Sequence, residues 1–395
     1  MQLSEKSIFK TFVLYASFIL SLVVYMPQII TNSSAYINFS IVVKVLFVSL
    51  FLLTFNTKQI VNIRFTNIYL IVLLVFFTET LIFLSLGLNI KFDEVNQLFF
   101  PFITILIGYN INISRKRYIF FLFVYCFTVL IISMYSVFYF MGDFTIANQS
   151  TIIHKNSLGA ILSNAGAIVL CLIVLKGISK YGKIGLILFG TSIFACLLVF
   201  RSRADFLALL FCFLVVIWLL LRNKKGGYFI IGTIIIAVVI LYLYSVLIIP
   251  EFLNNFFLGN TDLSDLNSIS SDRLDRNVAA LKFISRNPLF GQLTNPIHLD
   301  WVHNYVLLEV SQFGLVGSFP LLCLYFYMIW TIIIRISKIK EFRTEHFGYI
   351  VMIIPLFISL LEPSFPYGPG SVQVIVYFML GYSLKKSFIP NFNID

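Results

Sequence analysis

Residues 204–221 read ADFLALLFCFLVVIWLLL, an almost unbroken apolar run with a single carboxylate near its start. A run of this length is close to the about 20 residues that an α-helix needs to cross the hydrocarbon core of a bilayer. Hydrophobic residues make up 59% of the 395 residues and charged residues only 11%. A soluble domain cannot bury so much apolar surface. The sequence therefore predicts an all-α polytopic membrane protein, with residues 1–395 forming a single integral membrane domain.

Apolar runs of this kind recur along the chain and predict about twelve transmembrane helices. The tenth run is long for one span, and its two glycines at 314 and 317 predict a kinked or re-entrant start. The runs cover roughly 8–30, 36–55, 67–88, 95–111, 118–140, 156–175, 184–200, 204–221, 228–249, 304–334, 347–361 and 371–384.

Charges between the runs predict the orientation of the chain. If the N-terminus lies inside, the inner loops hold most of the 28 Lys and Arg residues, while the outer loops hold most of the Asp and Glu residues. This is the positive-inside pattern, so we expect both termini in the cytoplasm. The net charge of +11 then reflects orientation and does not predict nucleic-acid binding.

No cofactor or metal site is predicted. The five cysteines lie within apolar runs, where they are typical of small packing residues. The sequence contains neither a phosphate-binding G-x-x-x-x-G-K-[ST] motif nor an acidic metal cluster. We therefore expect any chemistry to proceed without cytoplasmic ATP.

One long polar segment, 250–302, lies between the ninth and tenth runs and predicts a large periplasmic or exoplasmic loop. Within it, 271–286 is predicted to form a short amphipathic helix that ends before Pro288. Arg273 and Arg276 are three residues apart and share one face of that helix. Since arginine binds phosphate bidentately, these side chains and the turn at Arg201 and Arg203 are suited to hold a pyrophosphate. Alternatively, they pair with nearby acids or with lipid phosphates.

Three motifs in this half of the chain occur in a fixed order. The first is Ser202-Arg203-Ala204, and the second places Arg273 fifteen residues before Pro288-Leu-Phe-Gly291. The third is His303-Asn304 followed by Gly314-Leu-Val-Gly317. Together they resemble the O-antigen ligase / O-antigen polymerase superfamily of bacterial surface-glycan enzymes, over roughly positions 154–320. The chain departs from the family pattern at Asn277, where relatives often carry an aromatic residue.

This resemblance implies a metal-independent glycosyltransferase of the GT-C type. Such an enzyme lies in the bacterial inner (plasma) membrane and transfers a glycan from undecaprenyl pyrophosphate to a sugar hydroxyl at the outer face of that membrane. Arg203 and Arg273 would stabilise the leaving pyrophosphate, and His303 would be the base for the acceptor hydroxyl. Glu362 is a rival base, and a hydrogen-bonding role at the membrane interface is the alternative for His303. The predicted substrate-binding residues are Lys155, Arg201, Arg276, Asn304 and Glu362.

The expected partners follow from the same resemblance. They are an undecaprenyl-pyrophosphate-linked oligosaccharide, membrane lipid, a chain-length regulator and a flippase. The short connection 292–302 favours a polymerase, which would extend another lipid-linked repeat unit. The alternatives are a ligase, which would transfer the polymer to lipid A-core, and a flippase or transporter for the same glycan. A transporter built from repeats should show matching broken segments in both halves, and the sequence shows no such correspondence.

Overall fold

A computed structural model describes residues 5–26, 29, 33–55, 64–88, 90, 93–140, 155–200, 202–222, 273–294, 302–362 and 373–387. Within these ranges the regular structure is entirely helical. The α-helices are α1 (Glu5–Val23), α2 (Ser33–Thr54), α3 (Arg64–Ser85), α4 (Asp93–Asn110), α5 (Arg115–Tyr139), α6 (Lys155–Val174), α7 (Lys180–Val199), α8 (Arg203–Arg222), α9 (Arg273–Arg286), α10 (Tyr305–Ser337), α11 (Phe347–Val351), α12 (Ile353–Ile358) and α13 (Val374–Ser387).

The lengths and apolar composition of the helices agree with a membrane-embedded protein. In the described ranges, seven helices are long and apolar enough to cross a bilayer, namely α2, α3, α5, α6, α7, α8 and α10. Helices α1, α4 and α13 contain shorter apolar stretches, and the predicted run 347–361 is divided between α11 and α12. The predicted run 228–249 lies outside the described residues, as does most of the predicted loop 250–302. The all-helical fold is thus confirmed in the described ranges and the apolar helices are compatible with a membrane protein, whereas twelve spans and a GT-C type remain predictions.

Two helices form the centre of the bundle. Helix α6 contacts α5, α7, α8 and α11, and all but two of its residues from Ser157 to Leu172 are buried. Helix α13 packs on α4 and α11, and every residue from Gln373 to Leu384 is buried. Close approach of α13 to α4 depends on Gly381, because a Cβ there would overlap the carbonyl oxygen of Ile105. The residues at the ends of these two helices are therefore supported by a buried, closely packed centre.

The predicted kink in α10 is confirmed at Gly314, whose φ of 66° and ψ of −176° are non-helical. The turn after α9 packs directly into this kink. Leu315 donates its backbone N–H to the carbonyl of Pro288 at 2.8 Å, and Val316 donates to Leu289 at 3.1 Å. The Pro-Leu-Phe-Gly turn therefore fastens α9 to the start of α10, and this contact explains why the two motifs occur together.

Gly314→Ala is expected to destabilise this junction. A Cβ at Gly314 would overlap the carbonyl of Leu289, and a backbone angle of this kind costs a non-glycine residue about 1–3 kcal/mol. The free energy of unfolding should fall by at least that amount, seen as a lower melting temperature in detergent. Gly185→Ala on α7 is the matched control, because a Cβ there would meet no atom within 4 Å. Equal melting temperatures for the two variants would contradict the packing described here.

Basic residues gather at the end of the bundle where α6 finishes. Lys176 forms an ion pair with Glu341 at 2.6 Å, and Arg222 donates to the carbonyl of Ser337 at 2.7 Å. Hydrogen bonds from Lys176 and then from Arg343 lower the pKa of Glu341 to about 2, so this carboxylate stays ionised. Arg115 also donates to the carbonyl of Lys176 at 3.1 Å. The described parts of four predicted inner loops, which carry Arg115, Lys176, Arg222 and Glu341, therefore lie at one end of the bundle.

Candidate active site

Four segments that are distant in sequence meet at the other end of α6. They are the start of α8 at 202–205, the first turn of α9 at 273–276, the approach to α10 at 303–304, and residues 360–362 after α12. Hydrogen bonds and ion pairs join three of these segments directly. The fourth, at the start of α8, lies within electrostatic reach of Arg273 and Glu362.

Arg273 contacts the end of α12 through both terminal nitrogens. Nη2 forms an ion pair with Oε1 of Glu362 at 2.6 Å, and Nη1 donates to the carbonyl oxygen of Leu361 at 2.9 Å. The side chain of Arg273 is 28% exposed, whereas that of Glu362 is only 10% exposed. A guanidinium has five N–H donors, and these two contacts leave donors for a ligand on its exposed side. Arg273 is therefore held in place by these two contacts, and its remaining donors could bind an anion.

His303 lies between Glu362 and Arg276. Its Nδ1 is 3.3 Å from Oε2 of Glu362, and its Nε2 is 3.1 Å from Nη1 of Arg276. Since a guanidinium can only donate, Nε2 must be the acceptor of that bond. The hydrogen of the neutral imidazole then lies on Nδ1, where it is donated to Glu362. This is the tautomer in which Nε2 carries the lone pair of a base.

The start of α8 brings Arg203 next to this group. Arg203 lies close enough to Arg273 for the two positive charges to interact. Asp205, which is 2% exposed, accepts a hydrogen bond from the hydroxyl of Ser202. A Cβ at Gly159 would overlap Oδ2 of Asp205, so the first turns of α6 pack against the same corner. Helix α6, which begins at Lys155, therefore packs against the start of α8 through Gly159.

Asn304 has a structural role in this arrangement. Its Oδ1 caps α10 by accepting from the N–H of Leu307 at 3.1 Å, and its Nδ2 donates to the carbonyl of Leu360 at 3.1 Å. The backbone N–H of Tyr305 donates to the carbonyl of Ser359 at 2.9 Å. Asn304 thus joins the start of α10 to the segment that carries Glu362, and in doing so positions His303 against the carboxylate.

The predicted site residues within the described ranges come together, but their contacts differ from those expected. Glu362 was expected to face the site as a rival base or a substrate-binding residue, and it is buried between Arg273 and His303. Arg276 was predicted to bind substrate or, alternatively, to pair with acids or lipid phosphates, and it contacts His303. Arg201 and the side chain of Lys155 lie outside the described residues. The hydrogen bond from Ser202 to the buried Asp205 was not predicted.

The predicted helix 271–286 is confirmed as Arg273–Arg286, and Asn287-Pro288 follows its end. Ala280 and Phe283 face the bundle, while the apolar side chains of Leu274, Val278 and Leu281 are exposed by 49%, 40% and 52%. An apolar face of this kind, next to a polar one, is typical of a helix that lies at a membrane interface.

The arrangement combines two arginines suited to an anion with a histidine held in a basic tautomer. It could therefore stabilise an anionic leaving group and accept a proton from a nearby hydroxyl. In the described part of the chain no group of three or more His, Cys, Asp and Glu side chains is arranged to hold a metal ion. Comparison with known proteins assigns no relative, since the chain matches no family model and no curated protein.

Proposed function

We propose that the chain is a repeat-unit polymerase for a bacterial surface glycan, either O-antigen or capsule. It would transfer a glycan from undecaprenyl pyrophosphate to the non-reducing-end sugar hydroxyl of another lipid-linked repeat unit. The observation that carries this proposal is the meeting of Arg203, Arg273, His303 and Glu362 at one end of an apolar helical bundle. These residues come from separate segments. Arg203, Arg273 and His303 were predicted from the motifs, and Glu362 was predicted separately as a rival base.

The proposed reaction needs two kinds of assistance, and the site offers both. As the bond between the anomeric carbon and the pyrophosphate breaks, its electron pair stays on the pyrophosphate, where Arg203 and Arg273 stabilise the negative charge. The acceptor hydroxyl loses its proton to Nε2 of His303 as its oxygen bonds to the anomeric carbon. The products are a glycoside and undecaprenyl pyrophosphate, and the proton returns to water from the imidazole. The donor is already activated, so the transfer needs no ATP.

The distribution of charge supports an orientation for this reaction. The basic end of the bundle, with Lys176, Arg222 and Arg115, would face the cytoplasm by the positive-inside rule, together with both termini. The candidate site at the opposite end would then face the periplasm, at the outer leaflet of the inner membrane. A lipid-linked pyrophosphate presents its charge at this depth, level with the headgroups. The exposed apolar face of α9 would rest in the same layer.

Deletion of the gene in its host tests this proposal against its alternatives. Surface glycan and lipid-linked precursors are extracted and separated by size. A polymerase predicts surface chains limited to one repeat unit, with restoration of long chains by the wild-type gene. Long polymer retained on undecaprenyl pyrophosphate would identify a ligase that uses lipid A-core. Single repeat units held on the cytoplasmic leaflet would identify a flippase and contradict the enzymatic proposal.

A further inference from the structure

The ring nitrogen of His303 that would act as the base, Nε2, already accepts a hydrogen bond in this structure. Arg276 Nη1 lies 3.1 Å from Nε2, the one ring nitrogen that can accept a proton when Nδ1–H is donated to Glu362. An acceptor hydroxyl and Arg276 therefore compete for the same lone pair. With its side chain only 17% exposed, His303 has little freedom to offer that lone pair elsewhere. For His303 to act as a base, Arg276 has to leave.

The pyrophosphate of the bound glycan donor would be a better acceptor for the Arg276 guanidinium than His303 is. The bond from the guanidinium to a neutral imidazole has one charged partner, whereas a bond from the same group to a phosphate oxygen joins two opposite charges and can be bidentate, so the phosphate is the stronger acceptor. Arg276 lies one helical turn from Arg273, on the same face of α9. A pyrophosphate held by Arg273 is consequently within reach of the Arg276 side chain.

We infer that Arg276 is a donor-sensing positioning residue that blocks Nε2 of His303 until a pyrophosphate draws the guanidinium away. Glu362 takes part by keeping the hydrogen on Nδ1, so that Nε2 is ready as soon as it is released. The base then becomes available only when the glycan donor is in place. This inference rests on the proposed function, and it adds to that function an order of events in which donor binding precedes activation of the acceptor.

The reactivity of His303 toward diethyl pyrocarbonate reports this switch directly. The reagent attacks a free imidazole lone pair, and mass spectrometry of peptides separates the four histidines of the chain. The full-length protein in lipid nanodiscs is labelled alone, with farnesyl pyrophosphate, and with farnesol, which lacks the pyrophosphate. His346, which accepts a hydrogen bond from the backbone N–H of Arg343 at 3.2 Å near the basic end, is the internal reference.

The expected result is that farnesyl pyrophosphate raises the labelling rate of His303 about tenfold, the effect of releasing one hydrogen bond to a charged group. Farnesol should leave that rate unchanged. Arg276→Ala should label rapidly without any ligand, and Arg276→Met, which keeps most of the aliphatic stem, should do the same. Lys282→Ala, on an exposed position of α9, should behave as the wild type. An unchanged His346 rate and melting temperature would show that a variant is folded.

Some results would contradict the Arg276 switch alone, and another would contradict both the switch and the proposed function. If farnesyl pyrophosphate binds, as shown by a shift in melting temperature, but His303 labels at the same rate, the switch is wrong and the proposed function stands. Slow labelling of His303 in folded Arg276→Ala or Arg276→Met would lead to the same conclusion. If farnesyl pyrophosphate fails to bind at millimolar concentration, the pyrophosphate site itself is wrong, and the proposed function falls with the switch.

Discussion

Arg273→Ala is expected to abolish polymer formation, and Arg203→Ala is expected to do the same. Each substitution removes a cation from the position proposed for the leaving pyrophosphate, and the loss of one such contact typically lowers the rate by about 10²–10³-fold. A glycan that needs many transfers per chain would then stay at one repeat unit. The measurement is the length distribution of surface glycan in a deletion strain that expresses each variant.

Arg273→Ala also removes the ion-pair partner of the buried Glu362, and breaking a buried pair costs about 3–5 kcal/mol. Membrane accumulation and melting temperature must therefore be measured beside activity. Arg273→Lys keeps the charge without the forked geometry and separates the loss of charge from the loss of packing. Lys282→Ala is the control on the same helix, and Arg276→Ala should be milder than Arg273→Ala. Polymer of wild-type length in either Arg203→Ala or Arg273→Ala would contradict the proposal that these two arginines stabilise the leaving pyrophosphate.

His303→Ala is expected to lower the rate of transfer by about 10²–10⁴-fold, the usual contribution of a positioned general base. The protein should still bind a polyprenyl pyrophosphate, because Arg203 and Arg273 remain. The rate is measured as release of undecaprenyl pyrophosphate from lipid-linked donor in a single turnover with purified variant protein.

Glu362→Gln separates the two candidates for the base. Glutamine cannot take up a proton, and its single oxygen can still accept from Nδ1–H of His303, although the ion pair with Arg273 is then lost and binding of farnesyl pyrophosphate must be measured beside activity. If His303 is the base, Glu362→Gln should keep more activity than His303→Ala. The reverse order, with His303→Ala active and Glu362→Gln inactive in folded protein, would make Glu362 the base and His303 its support.

The helices could be predicted from local sequence, because each apolar run has to satisfy its own backbone in a bilayer. The runs in the described ranges fall on helices, and the glycine pair 314 and 317 correctly predicts a kink. The short helix α9 also has the expected C-terminal limit, since the residue before proline avoids helical angles. These features depend on neighbours in the sequence alone.

The contacts within the site could not be predicted in the same way. The pairing of Glu362 with Arg273, and of Arg276 with His303, joins positions that are 89 and 27 residues apart. Which residues pair depends on how α9, α10 and α12 pack against one another. Residue type and spacing along the chain do not determine this packing. Asn304 illustrates the difference, because its motif suggests substrate binding while its amide caps α10 and fastens Leu360. The central position of α13 could not be predicted either. Its sequence shows only a short apolar run, yet every residue from Gln373 to Leu384 is buried.

The central claim is that this chain transfers a glycan from a polyprenyl pyrophosphate to a hydroxyl. Its most direct test uses purified full-length protein with lipid-linked repeat units extracted from the deletion strain, in the presence of a metal chelator. The account predicts lipid-linked products of two or more repeat units, together with one undecaprenyl pyrophosphate released per transfer, and neither product with Arg273→Ala. Repeat units that stay single on their lipid with folded wild-type protein, and no release of undecaprenyl pyrophosphate, would contradict it.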